Sequence, residues 1–111
     1  MTLTDVQKAY LPMSEPAYYI LLSLTEARHG YGIMQHVEQL TGGRLQLGPG
    51  TLYGTLQRME KDGIIRVVAE AERRKVYAAT DAGRELLRLE LERLQELVAH
   101  GAAALEVSGA R

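Results

Sequence analysis

The alternation of apolar and polar positions divides the chain into four helical stretches and one ribbon. Residues 17–27, AYYILLSLTEA, are apolar nearly all round, which predicts a helix buried on every side. Ser14 can cap it, Pro16 fits its opening turn, and Gly30 is expected to close it. From Tyr31 the spacing of Ile33, Val37 and Leu40 predicts a second helix, stopped by Gly42 and Gly43. Leu45 and Leu47 alternate with Gln46 and predict a brief extended segment. A third helix is expected between Gly48 and Gly63. Pro49 suits its first turn, and Leu52, Leu56 and Met59 form one buried stripe. Residues 64–68 and 75–79 alternate and are rich in β-branched side chains, a hairpin signal. Their connection lacks the Asn-Gly or Asp-Gly pair of a two-residue turn, so a longer, mobile loop is expected. Thr80 then caps a last helix, in which Leu87, Leu91, Leu94 and Val98 recur at spacings of four, three and four, broadened by Leu86, Leu89 and Leu97. The tail, residues 108–111, is expected to be disordered.

This order predicts a mainly α fold with a small β-hairpin. Three helices followed by a two-stranded ribbon form a winged helix-turn-helix, here continued by a C-terminal helix. Residues 1–80, including an N-terminal arm or helix, are expected to be the winged domain, and 81–111 the dimerisation helix with its tail. A helix of about 20 residues with so broad a Leu stripe exceeds what a small winged domain can cover, so Leu87, Leu91, Leu94 and Val98 are the expected homodimer contacts.

The third helix poses a question of chemistry. Opposite its buried stripe it carries Thr51, Gly54, Thr55, Gln57, Arg58 and Lys61, and it holds glycines at 50 and 54, each costing about 1 kcal/mol against alanine. Small residues there allow a close approach to DNA. Gln57 and Arg58 have the groups that read base edges, while Thr51, Tyr53 and Lys61 suit phosphates. Arg73, Arg74 and Lys75 form a cationic wing tip. The net charge of −1 conceals this segregation: residues 44–75 carry seven basic against four acidic side chains, whereas 81–106 carry three against six. One region is suited to a polyanion such as double-stranded DNA, and the other to solvent or a second copy.

Several segments in order resemble a known family. GPGTLYGTLQRMEKDGII, then ERRKVYAATDAGRELL, and upstream LLSLTEARHGYGIMQHVEQLTGG are similar to the PadR family of bacterial transcriptional regulators. The shared pattern is Gly-Thr-Leu-Tyr, an Arg-containing helix end with Asp-Gly, an Arg-rich wing, a Tyr and Thr-x-x-Gly. The resemblance covers about residues 16–100 and is to the short class. It implies a homodimeric repressor whose DNA affinity answers to a small molecule or another signal. The chain has no tryptophan, which some members use to stack planar compounds. Tyr10, Met13, Tyr18 and Tyr19, with the last helix, either line an effector cavity between subunits or form ordinary core. A palindromic operator is the expected target; the alternative is a winged-helix module that binds protein.

Other chemistries lack their signatures. No cysteine is present, and His29, His36 and His100 have no metal-ligand spacing, so no metal or other cofactor is expected. There is no phosphate-cradling loop, no GxSxG and no carboxylate pair framed by histidine, so an enzyme is not expected. No apolar run approaches the roughly 20 residues that cross a bilayer, and the N-terminus lacks a secretion-signal core, so a cytoplasmic location without membrane contact is expected.

Overall fold

The computed structural model describes residues 2–107, so the tail at 108–111 lies outside the described residues. Five helices surround one small sheet: α1 Leu3–Tyr10, α2 Glu15–Ser23, β1 Arg28–His29, α3 Gly30–Leu40, α4 Pro49–Lys61, β2 Ile65–Ala71, β3 Arg74–Ala79 and α5 Asp81–Val107. This is a winged helix-turn-helix followed by a long C-terminal helix.

The N-terminal segment forms α1. Thr2 caps it reciprocally with Asp5, and Val6 and Tyr10 point into the core. Ser14 accepts from Ala17 N–H and starts α2 with Pro16 in the first turn. α2 stops earlier than its apolar run, at Ser23, because Leu24 and Thr25 form a turn and residues 28–29 become a strand. Gly30 therefore opens α3 instead of closing α2, and His29 is the capping residue, its Nδ1 accepting from Gly32 N–H. Leu40, expected on the buried face of α3, is half exposed and is the last residue of the helix. Residues 45–47 form no strand; Leu45 and Leu47 instead pack onto the core as irregular backbone.

The sheet has three antiparallel strands in the order β1-β3-β2, one more than the hairpin expected. Arg28 pairs with Tyr77 and Ile65 with Ala79. Val68 is an extra residue between the Val67 and Ala69 pairings, a bulge that twists the ribbon. The turn is short, because Ala71 pairs with Arg74 and leaves only Glu72 and Arg73 between them. Both adopt positive φ, 51° and 64°, as a primed two-residue turn requires. The wing thus meets the twist of its strands without glycine, at the cost of two left-handed non-glycine residues.

The interior joins Ile20, Leu21 and Leu24 to Ile33 and Val37, to Leu52, Leu56 and Met59, and to Ile64, Ile65 and Tyr77. α5 closes this core with Leu86 and Leu87 and buries Glu90, which accepts from Met13 N–H at 2.8 Å and from Arg93 Nη2 at 3.0 Å. Thr80 caps α5: its Oγ1 accepts from Gly83 N–H at 3.2 Å and donates to Gly63 O at 2.7 Å.

Candidate nucleic-acid interface

The buried stripe of α4 fixes which way its other face looks. Leu52, Leu56 and Met59 are at most 1% exposed, so at 100° per residue Gly50, Gly54, Gln57 and Lys61 project directly away from the core. All four are exposed. A Cβ at Gly50 or Gly54 would meet nothing within 4 Å, so packing inside the chain does not demand glycine at either position. What glycine provides there is a bare strip of backbone, bordered by an amide and an ammonium. Gly54, Gln57, Arg58, Glu60 and Lys61 line a shallow depression of about 720 Å³ along this strip.

The two flanks of α4 differ. Thr51 and Arg58 lie on the flank nearer α1, where the Arg58 guanidinium sits over the Tyr10 ring, 5.4 Å from its centre. Tyr10 is buried, and its hydroxyl donates to Asp62 Oδ2 at 2.6 Å. Burial, reinforced by the Asp62 carboxylate, pushes its phenol up to about 12, so it stays a proton donor.

The other flank carries Tyr53, half exposed, whose ring lies over Gly30 so closely that a Cβ there would be 2.5 Å from the hydroxyl. Beyond it opens a groove of about 550 Å³ between the starts of α3 and α4 and the wing. His29, Tyr31, Tyr53, Arg74 and Lys75 line it, with Arg73 at the rim. The cations named from the sequence at the wing tip are therefore exposed beside the beginning of α4. His29 was not singled out as a DNA residue. Its Nδ1 is occupied by the α3 cap, so in the neutral ring Nε2 carries the proton, and Arg74 Nη1 lies 3.5 Å away. Two donors thus face the same groove. The signal was the residue before Gly30, hidden by reading that glycine as the end of α2.

The remaining candidates fall elsewhere. Leu91 and Val98 are exposed on α5, 48% and 69%, and Leu94 is half-buried, whereas Leu87 is committed to the core of its own chain at 7%. Tyr10 belongs to the core and Met13, Tyr18 and Tyr19 pack against that core, with Tyr18 and Tyr19 edge to face at 5.6 Å. Among the described residues no cluster of three or more His, Asp or Glu side chains is placed to hold a metal ion, and no helix is long and apolar enough to cross a membrane.

Comparison with known proteins gives this surface its context. The family model "Transcriptional regulator PadR-like family" matches residues 20–89. The chain is 43% identical over 83 residues to an uncharacterized 37.1 kDa protein in transposon TN4556 of Streptomyces fradiae, covering 72% of this chain and 24% of that protein. It is 38% identical over 74 residues to the transcriptional regulator Rv3488 of Mycobacterium tuberculosis, covering 64% of this chain and 56% of that one. The chain thus matches about a quarter and just over half of the lengths of these relatives. Among solved structures, a transcriptional regulator from Clostridium thermocellum superposes with a TM-score of 0.67 at 27% identity, covering 87% of this chain and 96% of that chain. Bacillus subtilis PadR in complex with operator DNA superposes with a TM-score of 0.60 at 24% identity, covering 70% and 48%, a likeness of fold.

Proposed function

From the premise that this chain belongs to the PadR-like family of transcriptional regulators, we propose that it is a sequence-specific DNA-binding repressor that works as a homodimer on a palindromic operator. The observation that carries this reading is the bare strip of α4 running beside a cationic groove. The helix backbone can approach base edges at Gly50 and Gly54, where a larger residue would hold it away. Gln57 and Arg58 reach base edges, Thr51, Tyr53 and Lys61 hold phosphates, and Arg73, Arg74 and Lys75 follow the neighbouring backbone with the wing. The domain is residues 1–80, and the exposed half of α5 brings two copies together through Leu91, Leu94 and Val98. The candidate site for a small-molecule effector is Tyr10, Met13, Tyr18 and Tyr19, of which Met13 N–H and Tyr18 lie by the α5 carboxylate Glu90.

The test is a mobility shift on a duplex recovered by selection from a random-sequence pool, compared with an unselected duplex across a salt series. A preference for the selected duplex, with affinity falling steeply as salt rises, supports the reading. Equal affinity for both duplexes overturns sequence-specific regulation.

A further inference from the structure

Arg58 and Asp62 are four residues apart, one at the edge of the outward face of α4 and the other capping the end of that helix. At this spacing a guanidinium and a carboxylate are neighbours on a helix and can pair. Here the phenol of Tyr10 stands between them. Its hydroxyl donates to Asp62 Oδ2 at 2.6 Å, and its ring lies beneath the Arg58 guanidinium at 5.4 Å. The residue that does this comes from α1, outside the helix-turn-helix, and is itself buried at 6% exposure. We propose that Tyr10 is a positioning residue for DNA recognition, which keeps Arg58 aimed outward by occupying Asp62 and supporting the guanidinium on its ring.

The proposal rests on the DNA-binding reading above and adds a determinant of specificity to it. Arginine loses considerable rotamer freedom when it docks, and a side chain already held against an aromatic face loses less. A direct Arg58–Asp62 pair would draw the guanidinium towards the helix end and would have to break before a base or phosphate was bound. The phenol prevents this while leaving Arg58 exposed. It also links α1, whose end is tied through Met13 N–H to Glu90 of α5, to the recognition face.

The experiment is a double-mutant cycle on the full chain, measuring affinity for the selected duplex and for an unselected one. Tyr10→Phe keeps the ring and the core contact and removes only the hydroxyl. It is expected to weaken binding to the selected duplex about three- to tenfold, because Asp62 is released to compete for Arg58. In the Tyr10→Phe background, Asp62→Asn is expected to restore that loss, whereas the same substitution beside an intact Tyr10 changes affinity by less than about twofold. Tyr10→Phe in an Arg58→Ala background is expected to have no further effect. A merely structural role for Tyr10 would not be rescued by removing a carboxylate. The proposal is overturned if Tyr10→Phe binds as the parent does, if Asp62→Asn has the same effect in both backgrounds, or if the loss persists without Arg58. A parent that shows no preference for the selected duplex overturns the DNA reading itself, and the proposal with it.

Discussion

Gly83 sits where the first turn of α5 crosses the link between α4 and β2, and a Cβ there would lie 2.1 Å from the Ile64 carbonyl oxygen. Backbone, not a flexible side chain, is in the way, so Gly83→Ala must part α5 from the strand entrance. Urea unfolding is expected to show a loss of about 2–3 kcal/mol. The same crossing explains the spacing of Thr80 and Gly83, since the threonine caps the turn that the glycine allows to dock. His36 is a second residue with a measurable consequence. Its Nδ1 meets Ser23 Oγ at 2.8 Å, and that hydroxyl already donates to Tyr19 O, so the imidazole supplies the proton. Burial, aided by the nearby Arg28 charge and opposed by Glu26, holds its protonation below the usual histidine range. The unfolded chain therefore takes up this proton more readily. The stability His36 contributes is full above about pH 6.5 and is lost as pH falls through the lowered folded-state value. Comparing urea midpoints at pH 7.5 and pH 5.5, the His36→Asn variant is expected to lose less than the parent.

Among the elements, under the proposed DNA-binding function the wing and α4 divide the work of binding by their chemistry. The wing presents Arg73, Arg74 and Lys75 on a ribbon twisted by a bulge at Val68 and closed by a two-residue turn, a geometry suited to backbone charge. Replacing Arg73 and Arg74 by alanine is expected to weaken binding to selected and unselected duplexes alike and to flatten the salt dependence by about one to two units of slope. An unchanged slope would contradict this role. α4 presents bare backbone, and its test is steric. Gly54→Leu meets open space in the folded chain, so circular dichroism and the unfolding midpoint are expected to match or exceed the parent's, while affinity for the selected duplex falls. A leucine variant that binds normally would remove the reason for glycine at that position.

At the scale of the whole molecule, the chain extends over 57 × 34 × 21 Å, and α5 supplies the long dimension. At 1.5 Å per residue its 27 residues reach about 40 Å, and residues 95–106 are all exposed. Leu91, Leu97 and Val98 stand out on this projecting helix with 48%, 50% and 69% of their surface exposed. Isolated helical turns of this kind are marginal, and a second copy is the simplest cover for an apolar stripe. Leu91→Asp combined with Leu94→Asp would bury unpaired charge at that junction and is expected to give a monomer by light scattering, with weak binding to the selected duplex. A parent that is already monomeric at micromolar concentration and still binds tightly would refute the two-fold arrangement. Two wings related by such an axis need half-sites about 34–36 Å apart or a multiple of it.

Much of the fold was legible in the residues because local signals and packing agree there. Pro49, the Leu52–Leu56–Met59 stripe and Gly63, with φ of 78°, mark α4 from both ends, and Thr80 with the Leu repeat marks α5. The outward face of α4 followed directly, since a buried stripe on a helix determines its opposite. Tertiary structure decided what depends on partners distant in sequence. β1 has only two residues and exists through its pairing with β3, so the Gly30 boundary and the place of His29 were hidden. The tight wing turn holds two non-glycine residues at positive φ because strand pairing on both sides compensates them. Leu87 and Leu91 share a repeat, yet one enters the core and the other faces water, because the buried side of α5 runs through Gly83, Leu86, Leu87 and Glu90 and Leu91 lies at its margin. The Tyr10 bridge to Arg58 and Asp62 spans 52 residues to its carboxylate, and no local pattern carries a contact formed only when α1 docks against the end of α4.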